Sequence, residues 1–303
     1  MSVPVVKASP AAGAGAASDV EVREWEEFAI SLALEAGQVM MSATARGVHR
    51  QTEAKASAVD LVTEADKGIE ELLIRKIAQR FPHHRTIGEE SSSSAPAASA
   101  GTTPADSSRL TDAVTWIIDP IDGTLNFVHT FPLSCVSIGV TCQRAIVLGV
   151  VFNPWLDQLF TARRGSGAYL NGKPIHASGC KDLTQALVIA ELGGSREEAR
   201  KDAVCRNAQA IMWKCHGLRS LGSAAMNTCS VACGSADVYY EFGLHAWDMC
   251  ASALILTEAG GCVIDTKGGP LDLMNRRMIA AATPELALQV SNLLPVHLDL
   301  ERD

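Results

Sequence analysis

The stretch Asp119-Pro-Ile-Asp-Gly-Thr124 constrains this chain more than any other feature. It sets two carboxylates three residues apart at the exit of an apolar run, Val114-Thr-Trp-Ile-Ile118. That run predicts a buried strand over 114–118. Pro120 fixes one φ angle and Gly123 admits a conformation that other residues resist. A turn built this way can aim both carboxylates and the Ile121 carbonyl at one point. Oxygen ligands of this kind suit Mg²⁺ or Mn²⁺, whereas zinc prefers nitrogen and sulfur. A lone Asp-rich turn at a strand end is common, so the reading depends on the other acids in the chain.

Two further acidic sets accompany it. Ile87-Gly-Glu-Glu-Ser91 places adjacent acids after a short apolar segment, a pattern that on its own is ordinary solvated charge. His245-Ala-Trp-Asp-Met249 opens an apolar run over 250–256 that closes at Glu258-Ala-Gly-Gly261, which predicts a buried helix stopped by Gly260. An Asp in a first helical turn complements the helix dipole whatever its other role. Taken together, Glu89, Asp119, Asp122 and Asp248 supply the carboxylate count of a two-metal phosphoryl-transfer site.

Trp116-Ile-Ile-Asp-Pro-Ile-Asp-Gly-Thr-Leu-Asn-Phe-Val-His129 and Trp247-Asp-Met-Cys-Ala-Ser-Ala-Leu-Ile-Leu-Thr-Glu-Ala-Gly-Gly261 resemble the two signature motifs of the inositol monophosphatase family. The likeness extends through Val59-Asp-Leu-Val-Thr-Glu-Ala-Asp66, Ile87-Gly-Glu-Glu-Ser91 and Tyr239-Tyr-Glu-Phe-Gly-Leu-His-Ala-Trp-Asp248, in the family's order, from about 25 to about 282. It implies a layered αβαβα sandwich of the inositol monophosphatase and fructose-1,6-bisphosphatase type, with the site between two halves.

The resemblance also implies Mg²⁺-dependent hydrolysis of myo-inositol monophosphate by an activated water, with two or three ions per site. Mn²⁺ is a possible substitute, and Li⁺ and Ca²⁺ are inhibitors. One ion would take Glu89, Asp119 and the Ile121 carbonyl; another would share Asp119, Asp122 and Asp248. Asp66 and Thr124 would aim the water, and Glu90 joins Glu89 among the catalytic residues. Thr63-Glu-Ala-Asp66 also fits a capping box with Thr63 as N-cap, so Asp66 can serve a helix start as well. The Gly123 and Thr124 N–H groups would bind phosphate oxygens.

Substrate contacts under the same resemblance are Asp122, Gly123, Thr124, Gly194, Gly222, Ser223, Ala224, Glu241 and Asp248, with Glu241 on ring hydroxyls as an ionised acceptor. The chain departs from the usual pattern at Gly194, where many relatives have serine, and at Ser223, where threonine is usual. Lys55 matches a lysine near the metals in relatives, and is equally readable as surface charge. Phosphatases of fructose 1,6-bisphosphate, inositol polyphosphates and 3′-phosphoadenosine 5′-phosphate share the metal carboxylates and stay open as alternatives. A non-catalytic regulatory member is disfavoured because every ligand acid is present.

Composition fits a soluble enzyme of 303 residues whose 47% hydrophobic content indicates dense packing. No apolar run reaches the ~18–20 residues of a membrane span, and the start lacks the basic-then-apolar order of a secretion signal. The formal charge of −8 opposes nucleic-acid binding. Nine cysteines, an odd number without C-x-x-C, read as reduced thiols of a cytosolic protein. Cys229 and Cys233 read as core, and His83-His84 as an exposed pair. The expected partners are a small phosphate monoester and a second copy of the chain, with no membrane.

Along the chain, 1–18 reads as a disordered tail, 19–180 as an α+β metal-binding half and 181–303 as an α/β substrate-binding half. Residues 91–109 read as a flexible low-complexity insertion. Helices are predicted from Trp25, over 64–80, near 196–211, over 223–233 and over 247–258. Strands are predicted over 114–118, 133–141, 146–152, 158–161, 186–191, 238–241 and 262–265, with a hairpin over 169–174.

Overall fold

The computed structural model describes residues 17–45, 58–93, 110–193 and 197–303. Its first helix, α1 (Asp19–Ala45), begins at a capping box: Ser18 Oγ accepts the Glu21 N–H at 3.3 Å while Glu21 Oε2 accepts the Ser18 N–H at 2.8 Å. Order therefore reaches Ala17 and Ser18, inside the predicted tail, and residues 1–16 lie outside the described set. Helix α2 (Ala58–Arg80) starts five residues before Thr63. Thr63 is thus within the helix and cannot be its N-cap, which corrects the capping-box reading.

Among the described residues, twelve strands form two sheets. The first joins β1 (Arg85–Gly88), β2 (Thr115–Asp122), β3 (Cys135–Cys142), β4 (Ala145–Asn153), β5 (Gln158–Arg163), β6 (Ala168–Leu170) and β7 (Lys173–Pro174) in chain order. Only the β1–β2 pairing is parallel, and it sets Gly88 beside Ile118. The second sheet has the order β11 (Cys262–Ile264), β12 (Arg277–Ala281), β10 (Val238–Phe242), β8 (Leu187–Ala190), β9 (Gly217–Arg219). The predicted 169–174 hairpin is the β6–β7 pair, turned at Asn171 and Gly172 with φ of 48° and 73°.

Side-chain alternation sorts the layers. On β2, Trp116 and Ile118 pack with α1 and α2, whereas Ile117 faces the opposite core. On β10, Tyr239 joins that central core while Val238 and Tyr240 face outward. The central layer holds α6 (Ala224–Ala232) and α7 (Ala246–Glu258), buried between the sheets. The outer layer holds α5 (Glu198–Met212) and α8 (Pro284–Leu293). The order is α1/α2, sheet, α6/α7, sheet, α5/α8, an αβαβα sandwich. Glycines let α7 lie close to the first sheet: a Cβ on Gly139 would stand 2.4 Å from Cys250 Sγ, and one on Gly149 would stand 2.3 Å from the Ala251 carbonyl oxygen.

His84 departs from the predicted exposed pair. Its ring stacks on Phe81, meets Trp25 edge-on, and accepts from Trp116 Nε1 at 3.1 Å, so it seals the base of the first core. Cys229 is buried as expected, and all nine cysteines are free thiols. No described helix is long and apolar enough to cross a membrane.

Candidate active site

Strand β2 carries the site. It continues through the Asp119 motif to Asp122, four residues beyond the predicted strand, and its register against β3 shifts between Asp119 and Asp122. Pro120 has no N–H to offer a ladder, so it falls in that bulge. The Asp119 side chain folds back to accept the Ile121 N–H at 3.1 Å. Gly123, with φ 84°, turns the chain into α4 (Thr124–Val128). Thr124 Oγ1 donates to the Ile121 carbonyl at 3.1 Å, so this expected metal ligand already has one partner and keeps one lone pair.

Asp119, Asp122 and Asp248 each offer an oxygen within 4.8 Å of the others. Asp119 is 1% exposed and Asp122 6%. Burial, reinforced by the neighbouring acids Glu89, Asp122, Asp248 and Asp66, drives the Asp119 carboxyl well above its usual range. Burial and Asp122 push Asp248 up to about 8. Glu89 opens α3 (Glu89–Ser93) directly after β1, and the parallel register brings it to Asp119. Burial, then Asp122 and Glu90, raise it to about 7, partly offset by a hydrogen bond with Asp119.

Asp66, on α2, is 3% exposed, and its Oδ1 has no hydrogen-bond partner among the described residues. Burial and then Glu89, Glu90 and Glu70 push it to about 9. Acids this crowded and dry call for positive charge, and oxygen donors in this number fit a hard divalent cation.

Asp122 is held differently. Ser223 Oγ donates to its Oδ2 at 2.5 Å, and the N–H groups of Ala224 and Ala225, opening α6, donate at 3.2 and 2.8 Å. These bonds oppose the rise that burial imposes on Asp122. Ser223 is also the α6 N-cap, accepting from Met226 N. The Gly222 N–H, expected near substrate, instead donates to Glu191 Oε1 at 2.8 Å, and Ala224 N–H is engaged by Asp122. Gly194 and Lys55 lie outside the described residues, as do 94–109 of the predicted insertion, while Ser91–Ser93 end α3.

Glu241 stands on β10 and accepts from Tyr239 Oη at 2.5 Å. Burial, with Glu191, Asp248 and Asp122 nearby, drives its carboxyl well above the usual range. The side chain is half-buried, and its surroundings favour the protonated form over the ionised acceptor read from the sequence.

Two residues with no local motif complete the site. Glu191 accepts from Ser220 Oγ, Leu221 N, Gly222 N and Asn227 Nδ2 at 2.7 to 2.9 Å, fixing the loop that delivers Ser223. Glu70 accepts the Glu90 and Ser91 N–H groups at 2.8 and 2.7 Å, fixing α3 and with it Glu89. Glu70 follows Asp66 by one helical turn, the single sequence signal that could have flagged it.

An αβαβα sandwich that converges buried carboxylates from both sheets' connections defines a metal-dependent phosphoric monoester hydrolase. The family model described as the inositol monophosphatase family matches residues 21–295, and the chain belongs to that family. Human inositol monophosphatase 2 is 44% identical over 274 residues, covering 89% of this chain and 91% of the relative. An inositol monophosphatase structure from Anabaena superposes with TM-score 0.74 at 29% identity, covering 91% of this chain and 96% of that one. A staphylococcal IMPase-II structure with bound inositol monophosphate gives TM-score 0.70 at 25% identity, covering 89% and 93%.

Proposed function

We propose that the chain releases phosphate from myo-inositol monophosphate using Mg²⁺, two or three ions held by Glu89, Asp119, the Ile121 carbonyl, Asp122 and Asp248. One observation carries the reading: three close carboxylates beside a fourth, Asp66, whose buried Oδ1 has no partner among the described residues. The inositol monophosphate bound to the staphylococcal relative supports the substrate class. When bound, the ions supply charge against a doubly negative phosphate and acidify the attacking water.

The chain's own groups do the aiming. Asp66 Oδ1 accepts a hydrogen bond from the attacking water, and Thr124 Oγ1, oriented by its bond to Ile121, contacts the same water. Glu90 stands next to Glu89 as a catalytic candidate, and burial raises its pKa. The N–H groups of Gly123 and Thr124 take phosphate oxygens. Glu241 and the Ser223 backbone meet the ring. Displacement is in line and leaves no phosphoenzyme.

In this reading 19–180 is the metal-binding half and 181–303 the substrate-binding half. The chain assembles as a homodimer in this reading, and Leu125, Phe131 and Leu156 are among its exposed large apolar side chains. Nine free thiols support a cytosolic location. The test is phosphate release from inositol 1-phosphate, fructose 1,6-bisphosphate and 3′-phosphoadenosine 5′-phosphate with Mg²⁺, repeated after exhaustive chelation. The inositol ester should be preferred and its hydrolysis lost on chelation. Turnover that survives chelation rejects the metal role, and preference for another ester rejects the substrate.

A further inference from the structure

Asp248 enters the carboxylate group from the first turn of α7, and its Oδ2 accepts the backbone N–H of His245 at 2.8 Å. The lie of residues 243–245 therefore sets its direction. Arg276 grips that loop with its backbone and its side chain. Its carbonyl accepts the Gly243 and Leu244 N–H groups at 2.8 and 3.1 Å, and its guanidinium donates to the Leu244 and Gly243 carbonyls at 3.2 and 3.4 Å.

The His245 ring joins Arg276 to Asp303. Nε2 is 2.9 Å from Arg276 Nη2 and Nδ1 is 2.8 Å from Asp303 Oδ1. A guanidinium only donates, so Nε2 accepts and the ring proton sits on Nδ1, given to Asp303. The other Asp303 oxygen accepts the Ala246 N–H at 3.3 Å, the first of α7. The ring also lies flat on Trp247, with centroids 4.5 Å apart at 4°. Asp303 is anchored by its neighbours: Arg302 donates to Asp272 Oδ2 at 2.7 Å, and Asp303 N donates to the Met274 carbonyl at 3.2 Å.

We propose that Asp303 is a positioning residue for Asp248: through His245 and Ala246 it fixes the first turn of α7, and so the carboxylate that a divalent cation meets. The proposal rests on Asp248 being a metal ligand. It assigns Asp303 no contact with substrate or metal. Groups hydrogen-bonded directly to a metal ligand are worth about 10- to 100-fold in metal affinity, and Asp303, one contact further out, falls at the low end of that range.

The experiment compares wild type, Asp303→Ala and Asp303→Asn by calorimetric titration with Mn²⁺ alone, and by the Mg²⁺ dependence of phosphate release from inositol 1-phosphate. Asp303→Ala should weaken Mn²⁺ binding about tenfold and raise the half-activating Mg²⁺ by a similar factor, with kcat at saturating Mg²⁺ within about twofold. Asp303→Asn keeps an oxygen for the His245 Nδ1–H and should recover about threefold or more of that loss. Wild-type Mn²⁺ affinity in Asp303→Ala, or equal loss in both variants, overturns the role. If wild type binds Mn²⁺ but does not hydrolyse inositol 1-phosphate, the substrate reading fails while the Mn²⁺ comparison still decides on Asp303. A wild type that does not bind Mn²⁺ overturns both.

Discussion

Ser223 donates its hydroxyl to Asp122 Oδ2 at 2.5 Å, joining residues 101 apart in the chain. One belongs to a strand of the first sheet and the other caps a helix of the central layer. The candidate metal ligand is thus held by the packing of one half on the other.

Ser223→Ala removes both this bond and the N-cap bond to Met226 N. Caps are worth about 1 kcal/mol and a charged hydrogen bond about 1.5–3, with overlap between them. Denaturant unfolding should show a loss of about 1–3 kcal/mol, and Mn²⁺ affinity should fall about tenfold. Ser223→Thr keeps the hydroxyl and should preserve both. An alanine variant with wild-type stability would show that the backbone N–H groups and the Cys135 thiol suffice to hold Asp122.

The crowded acids make stability depend on pH and metal together. Burial raises Asp66 from 3.8 to about 9, Asp248 from 3.8 to about 8 and Glu89 from 4.5 to about 7. The folded protein then holds protons that the unfolded chain has released. Their stabilising contribution is complete below the unfolded values and is lost as pH climbs through 7 to 9. The melting temperature of metal-free protein should fall from about pH 5.5 to about pH 8.5, and Mg²⁺ should raise it most at the alkaline end, releasing protons as it binds. A metal-induced rise that is the same at both pH values would contradict the buried-acid account.

Much of the fold and part of the site were legible because their signals are local. The apolar run into Asp119, and the periodic run closed by Gly260, each announce an element with an acid at its end. Strand β12, Arg-Met-Ile-Ala-Ala at 277–281, gives no such signal; it becomes a strand by pairing with β10 and β11. The start of α8 carries a local signal, Thr283 as N-cap followed by Pro284. Glu191 and Glu70 lie beyond local reading, since their role depends on which backbone N–H groups the tertiary fold turns toward them. The upward pull on the Glu241 carboxyl was beyond local reading for a similar reason: the burial that causes it comes from other elements.

Gly149→Ala should cost more than Gly139→Ala. The added Cβ at 149 meets the Ala251 backbone oxygen at 2.3 Å, whereas at 139 it meets the Cys250 sulfur at 2.4 Å, and a side chain gives way more readily than a helix backbone. Overpacking costs about 1–3 kcal/mol, so the 149 variant should sit at the upper end in thermal unfolding. Because α7 carries Asp248, Mn²⁺ affinity should weaken in parallel. A stable 149 variant with intact Mn²⁺ affinity would mean α7 can lift from the sheet without moving its first turn.

Asp122→Asn keeps the size of the side chain but removes its charge. Its one oxygen can accept the Ala224 or the Ala225 N–H but turns its NH2 toward the other, so the fold should survive with a loss of about 1–3 kcal/mol. Loss of one transition-state charge interaction is worth ~2.7–4 kcal/mol, which predicts a fall in kcat of about 10²-fold or more. Wild-type kcat at saturating Mg²⁺ would remove Asp122 from the metal set.

In its ring-binding role Glu241 sets the selectivity between esters with and without ring hydroxyls. Tyr239 Oη donates to Oε2 and burial raises the carboxyl pKa, so in its protonated form the group would accept from Tyr239 and donate to a ring hydroxyl. A glutamine side chain reproduces that donor and acceptor pattern; an alanine loses both. Losing one hydrogen bond to a buried polar partner costs about 1–3 kcal/mol. Glu241→Ala should therefore lower kcat/KM for inositol 1-phosphate about tenfold or more, while Glu241→Gln stays within about threefold of wild type. Hydrolysis of 4-nitrophenyl phosphate, which has no ring hydroxyls, should barely change in either variant. Equal losses on both substrates would make Glu241 a support of the metals or the fold, and a glutamine variant as poor as alanine would show that the group works ionised.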